Sequence, residues 1–257
     1  MEKQKIIVIL GQTATGKSAL AVKLAKKFNG EIISADSRQV YKGLNIGTGK
    51  ITKKEMLGVP HYMLDIVSPK RKFSVSEYQK LANEHIRYIV CEGKIPIICG
   101  GTGFYIQSIV DGIVLPEVGP NLKLRKELSK KGIKELYAIL KKLDPRRANE
   151  IDKNNPHRLI RAIEIARALG KVPKITKQQI TYNSLQVGLK LPDKELKKRI
   201  HIRLFARMRY GMINEAKKLH REGLSWKRMG ELGLEYRYLA KYLKKQLTKE
   251  QLTSHLE

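Results

Sequence analysis

Two cysteines, one tryptophan and four phenylalanines are all that 257 residues contain of those types. Cys91 and Cys99 both sit in apolar sequence, so buried free thiols are expected rather than a disulfide or a metal site. Aromatics make up 6% of the chain, too few for a broad platform on which single-stranded bases would stack. No apolar run approaches the roughly 18 residues that would suggest a membrane span. No basic-then-apolar leader opens the chain either, so the expectation is a cytoplasmic protein without membrane association, monomeric by default. Acid is scarce as well: 24 Asp+Glu face 52 Lys+Arg, a net charge of +28. Residues 1–115 carry 17 basic and 9 acidic residues; residues 116–257 carry 35 and 15. The excess therefore lies mostly in the second half. A polyanion such as RNA is the partner such a field attracts, although solvated lysine-rich helix faces would give the same counts.

What is present starts with an apolar run, Ile6 to Leu10, followed by Gly11-Gln12-Thr13-Ala14-Thr15-Gly16-Lys17-Ser18. Glycines at these two positions let backbone N–H groups turn toward one point, while the following helix and Lys17 add positive potential there. Ser18 is placed to hold a magnesium ion between phosphate oxygens. Leu20, Leu24 and Phe28, with Ala21 and Ala25, predict the buried face of that helix. A strand before and a helix after make the octet a binder of di- or triphosphate.

Further along, Glu31 to Asp36 reads as a second strand ending on an acid. Ser74 and Glu77 form a capping box ahead of a helix whose apolar face is Tyr78, Leu81, Ala82, Ile86 and Ile89. Ile95 to Cys99 reads as a buried strand, followed by Gly100-Gly101-Thr102-Gly103 and a helix from Phe104. Strands alternating with helices imply an α/β fold around a mostly parallel sheet. After Pro116 the pattern turns helical and basic, with turns at Gly132 and Asp144-Pro145 and a helix from Pro156 to Leu169. Leu185, Val187, Leu189 and Leu191 alternate as one more strand, and a long Arg- and Lys-rich helix then runs from Asp193 toward Gly223. The expected organisation is an α/β core over 1–116, a basic helical insertion over 117–183 and a return to the core over 184–257.

In open parallel sheets ligands bind beyond the carboxyl ends of the strands. Three polar strand ends converge there: the phosphate loop, Asp36-Ser37-Arg38-Gln39, and Gly101-Thr102-Gly103. Asp36 can accept a proton from a nucleophile or cap a helix. Thr102 can donate to a leaving-group oxygen or cap the helix that follows. Two chemistries fit these residues, phosphoryl transfer by a small-molecule kinase and displacement at carbon with diphosphate leaving. A non-enzymatic RNA-binding module on a degenerate nucleotide fold is a further alternative.

Taken together, these blocks resemble the tRNA dimethylallyltransferase (tRNA isopentenyltransferase) family. The likeness includes the octet 11–18, Asp36-Ser-Arg-Gln-Val-Tyr41 with Ile46-Gly-Thr48, and His61 to Asp65 with Phe73-Ser74-Val75. It continues through Gly100-Gly-Thr-Gly-Phe-Tyr105, Asn155-Pro-His-Arg158-Leu-Ile-Arg161-Ala, Arg199-Ile-x-x-Arg203 and Gly211-x-x-x-Glu215. Phe205 stands where the family commonly has Asp, and Arg207 replaces a usual Met.

The resemblance implies a P-loop nucleotide-hydrolase-like core, and transfer of a dimethylallyl group from its diphosphate to the N6 amine of the adenosine 3′ to the anticodon. It implies Asp36, Thr102, Lys17 and Arg203 as catalytic residues, residues 11–18 as the diphosphate cradle, and Mg2+ at Ser18. It implies tRNA contacts, in the anticodon stem-loop, from Asp36, Ser37, Arg38 and Gln39 and from His157, Arg158, Leu159, Ile160 and Arg161. An arginine on a solvated helix face would read the same way.

Overall fold

The structure, a computed structural model, describes residues 3–174, 176 and 182–257. The first apolar run lies inside β1 (Gln4–Gly11), and the phosphate-loop octet leads into α1 (Lys17–Lys27). Then come β2 (Gly30–Ser34), α2 (Lys53–Met56), β3 (His61–Tyr62), α3 (Val75–Cys91), β4 (Ile95–Gly100) and α4 (Gly103–Val110). A helical stretch follows: α5 (Leu122–Leu128), α6 (Ile133–Leu143), α7 (Pro145–Glu150) and α8 (Pro156–Leu169). The chain then adds β5 (Tyr182–Leu189), α9 (Asp193–Arg209), α10 (Met212–Arg221), α11 (Trp226–Gly230), α12 (Leu234–Leu243) and α13 (Lys249–Leu256).

The five strands form one sheet in the order β3-β2-β4-β1-β5, every pair parallel. Ile9, Ile32 and Ile97 pack on one face against Ala21, Val22 and Ala25 of α1. Ile6, Val8, Ile33 and Ile98 point to the other face, against Tyr78, Ala82, Ile86 and Ile89 of α3 and Tyr105, Ile106 and Ile109 of α4. β2 and β4 are thus apolar on both faces, as a sheet covered by helices requires. Leu185 of β5 is 63% exposed, because this strand is an edge with one thinly covered face. A third apolar cluster joins Val40, Tyr41 and Leu44, which follow β2, to Leu204, Met212, Leu219, Tyr236 and Leu239 of the last helices.

The chain divides into two compact units, Met1–Gly112 with Gln179–Glu257, and Ile113–Gln178. The second has its own core of Leu124, Leu128, Leu136, Leu140, Leu159 and Ile163. Its organising polar groups are two buried carboxylates. Asp144 caps α7 through the Arg147 N–H and also accepts the Val172 N–H, both at 2.9 Å. Glu164 accepts from the Asn121 N–H and from the guanidinium groups of Arg125 and Arg161 at 2.5–2.9 Å. These bonds hold its carboxyl below the usual glutamate range although burial pushes the other way.

Three expectations need correction. The face of α1 that meets the sheet is Ala21, Val22 and Ala25 with half-buried Leu20 and Leu24 packed against it, as expected, but Phe28, the C-cap, is 44% exposed and lies outside it. The long helix expected from Asp193 is two helices, because Gly211 takes a left-handed φ of 96° and breaks the run. Of the two thiols only Cys99 is buried; Cys91 ends α3 on an exposed turn. No described helix is long and apolar enough to cross a membrane.

Candidate active site

β2, β4 and β1 are neighbours, so their carboxyl ends bring three segments together. At the end of β1, Ala14 (φ 63°) and Gly16 (φ 92°) are both left-handed, the alternation that turns successive amides to one side. Thr15 Oγ1 donates to the Gln12 carbonyl at 2.8 Å and ties the loop to itself. Gly16 is the N-cap of α1 and no side chain caps it, so the first-turn N–H groups are left to an anion. Lys17 curls back over the loop and donates from Nζ to the Gln12 carbonyl at 2.5 Å.

At the end of β2 the chain turns around Asp36. Its Oδ1 accepts the backbone N–H groups of Arg38 (2.8 Å) and Gln39 (3.3 Å), an Asx-type turn rather than a helix cap. Oδ2 takes part in neither bond. At the end of β4, Thr102 stands at the N-cap position of α4, yet its hydroxyl bonds no helix N–H. Instead Thr102 Oγ1 accepts the Ser37 N–H at 3.0 Å, while the Thr102 N–H donates to the Ala35 carbonyl at 3.1 Å. The hydroxyl proton remains available to donate. Behind these groups, the Cys99 side chain hydrogen-bonds Ser18, and burial pushes its thiol up to about 11.

A fourth element is α9, which brings in Arg203. Its guanidinium lies against Gly49: a Cβ built there would meet Nη2 at 2.7 Å. Among the described residues no acceptor is hydrogen-bonded to it. Burial lowers the pKa of Arg203, Arg207 lowers it further, and Glu55 and Glu235 oppose this. Lys17 is likewise lowered, first by burial; Cys99 and Asp36 work against the shift, and Arg203 adds to it. Lys17 therefore senses the charges of both Asp36 and Arg203. Two half-buried cations with no salt-bridge partner among the described residues, one of them opening an uncapped helix, suit a ligand of multiple negative charge.

The remaining expected residues divide. Arg38 reaches away from Asp36, its Nη1 donating to the Glu231 carbonyl at 3.3 Å and its stem lying on Gly233. Ser37 and Gln39 are half-buried beside Asp36. Residues 157–161 belong to the other unit. There His157 and Arg158 are exposed, and Ile160 is half-buried. Leu159 corrects the expectation of an RNA contact: its side chain is fully buried in the core of α8 and cannot meet RNA. Arg161 is engaged internally, by Glu164 and by the Val118 carbonyl at 2.8 Å.

Sequence reasoning assigned no role to Lys50, Asp65, Glu215 or Tyr236. Lys50 is almost wholly buried and donates to the Tyr41 carbonyl (2.9 Å) and to Asp65 (2.6 Å), bracing the segment after Asp36. Glu215 accepts the N–H groups of Asn45 (2.9 Å), Ile46 (2.7 Å) and Gly47 (2.9 Å). Tyr236 donates to the same carboxylate at 2.6 Å. The available signals were the family blocks that contain Asp65 and Glu215, and the place of Glu215 as an acid on an otherwise basic helix. Arg207 donates to the Gly47 carbonyl at 2.8 Å, which gives that departure from the family pattern a structural use.

Residues 39–257 match the sequence profile of the IPP transferase family. The tRNA dimethylallyltransferase of Halothermothrix orenii is 40% identical over 97% of this chain and 79% of its own length. The one from Anoxybacillus flavithermus is 44% identical over 86% of this chain and 72% of its own. Among solved structures, the full-length tRNA isopentenylpyrophosphate transferase of Bacillus halodurans superposes with a TM-score of 0.73 at 37% identity, covering 99% of this chain and 82% of that one. A eukaryotic dimethylallyltransferase acting on tRNA also gives 0.73, at 25% identity, over 98% of this chain and 68% of that one. These likenesses favour neither the kinase nor the non-enzymatic module.

Proposed function

The chain belongs to the IPP transferase family, and from that we propose that it is a tRNA dimethylallyltransferase. The reaction moves a dimethylallyl group from dimethylallyl diphosphate to the exocyclic N6 amine of the adenosine 3′ to the anticodon, releasing diphosphate. The observation that carries this reading is a proton acceptor, Asp36, following β2 and an uncapped phosphate loop with Lys17 following β1, at the carboxyl ends of strands in one parallel sheet.

An exocyclic adenine amine is a weak nucleophile and needs an acceptor for its proton as the C–N bond forms. Asp36 supplies one: Oδ1 is fixed by two backbone N–H groups, and Oδ2 is left to take the proton. As the allylic C–O bond loosens, negative charge gathers on the leaving diphosphate. Lys17, Arg203, the loop N–H groups and the Thr102 hydroxyl meet that charge in groups already oriented for it. No cluster of three or more His, Cys, Asp or Glu among the described residues is built to hold a metal unaided. The Ser18 hydroxyl, in the first turn of α1, suits Mg2+, which binds through few protein oxygens and the phosphates of its substrate. Bound there, magnesium would neutralise part of the leaving-group charge.

The target adenine is stacked within a loop and must be turned out to reach Asp36. Ser37 and Gln39, beside Asp36, are placed to touch the extruded base, while His157 and Arg158 offer exposed polar groups for RNA phosphates. The test is incubation of the protein with labelled dimethylallyl diphosphate, magnesium and unmodified tRNA. Label in the tRNA is the expected result. Metabolite-driven consumption of ATP with no label transfer would replace the reading with a kinase, and tRNA binding without either reaction would leave an RNA-binding module.

A further inference from the structure

Arg203 of α9, whose charge is felt by Lys17 of the phosphate cradle, rests against one turn, residues 45–50. That turn closes on itself through Gly49 N–H to the Ile46 carbonyl (3.0 Å) and Lys50 N–H to the Asn45 carbonyl (2.9 Å). It is then gripped from outside by three late helices. Glu215 of α10 accepts three consecutive N–H groups, Arg207 of α9 takes the Gly47 carbonyl, and Tyr236 of α12 donates to Glu215. The Tyr236 ring lies so close over Gly47 that a Cβ there would sit 2.6 Å from it, which only glycine avoids. Two residues on, Gly49 adopts a left-handed φ of 59°, and its bare Cα is the surface on which the Arg203 guanidinium rests.

We propose that Glu215 is a positioning residue for the leaving diphosphate: by clamping the three amides of Asn45–Gly47 it fixes the Gly49 surface and thereby aims Arg203. The inference rests on the proposed prenyl transfer for its biological meaning, but the geometry applies to any diphosphate in the cradle. A carboxylate is required because three backbone donors and one phenol converge on it. A neutral amide would offer one acceptor oxygen and turn an N–H group toward those donors. Arg203 and Glu215 also lie on consecutive helices separated only by Tyr210-Gly211, so the arginine and the clamp are tied along the chain as well as through the turn. The amides of the turn are part of this arrangement as acceptor-seeking groups, not as ligands of the substrate.

The probe is inorganic diphosphate with magnesium, measured by calorimetry on the whole chain, alongside steady-state KM values for the allylic diphosphate and for tRNA. Glu215→Ala should weaken diphosphate binding and raise the KM for the allylic substrate by roughly tenfold, the size of one lost charge-assisted contact, with the KM for tRNA unchanged. In an Arg203→Ala background the same substitution should cost less than about twofold, because residues acting through one group are not additive. Tyr236→Phe keeps the ring over Gly47 and removes only one donor, so it should reproduce part of the effect in a protein that folds normally. Additive losses in the double variant, or equal losses of diphosphate and tRNA affinity, would overturn the proposal and leave Glu215 a fold residue. Because diphosphate binding is read without tRNA, failure of the prenyl-transfer reading shows separately, as wild-type protein that binds diphosphate but labels no tRNA.

Discussion

The Ser37 backbone N–H donates to the Thr102 hydroxyl at 3.0 Å, across 65 residues of sequence. That bond makes the turn bearing Asp36 and the loop after β4 one rigid edge of the site. It also holds in place a hydroxyl whose own proton is still free to donate.

Thr102→Val keeps the shape and removes both hydroxyl roles. Turnover should fall about 10²-fold, the scale of losing one oriented donor to a developing oxyanion, with tRNA affinity nearly unchanged. Single-turnover rates at saturating tRNA check this; a loss confined to tRNA binding would show that Thr102 serves recognition.

Asp36→Ala should lower turnover by about 10²–10⁴-fold, the range of a positioned proton acceptor, while tRNA still binds. Filter binding beside the label-transfer assay separates the two quantities. Equal loss of both would mean that the bonds from Arg38 and Gln39 to Asp36 matter only for folding the turn.

Two arginines three residues apart on α8 should behave differently. Arg158 is exposed, so Arg158→Ala should weaken tRNA binding and reduce the salt slope by about one unit without changing melting temperature. Arg161 bonds the buried Glu164 and the Val118 carbonyl, so Arg161→Ala should destabilise residues 113–178 by about 1–3 kcal/mol. Thermal melts together with binding isotherms over a salt series report both effects. Identical behaviour of the two variants would remove the distinction.

The same carboxylate sets an acid limit. Glu164 titrates lower folded than unfolded, so its contribution is complete above the ordinary glutamate range and is lost as pH falls through the folded value. Hydrogen exchange at residues 159–166 should therefore accelerate on acidification below that range. Glu164→Gln should abolish this pH dependence and cost about 3 kcal/mol, since it strips two arginines of their buried partner.

What could be read from sequence was local. The phosphate loop, the acid after β2 and the glycines after β4 each follow a short apolar strand, so type and spacing carried them. The capping box at Ser74 and Glu77 forms as expected, and α8 stops at Gly170. The clamp on residues 45–47 was not legible, because periodicity shows which face of α10 is polar and not that Glu215 meets amides about 170 residues earlier. Lys50 was hidden for the same reason: a lysine almost fully enclosed by Tyr41 and Asp65 looks like any other in a chain so rich in them. The α1 face was legible except at its end: the four-residue spacing that placed Leu20 and Leu24 also reached Phe28, which lies past the last helical residue.

β1 is flanked on both sides, by β4 through the Ile7–Ile97 register and by β5 from Gln4–Tyr182 to Gly11–Leu189. On the ribosome, then, the first strand emerges long before its outer neighbour exists. At about 5–20 residues per second the wait is on the order of ten seconds or more. The α5–α8 unit is fully synthesised within that interval and has its own apolar centre, so it can be complete while the nascent sheet still has an unpaired side. Chaperone capture of the chain during translation should accordingly concentrate on the first hundred residues and end only when β5 and then the last helices, which cover Val40, Tyr41 and Leu44, have arrived.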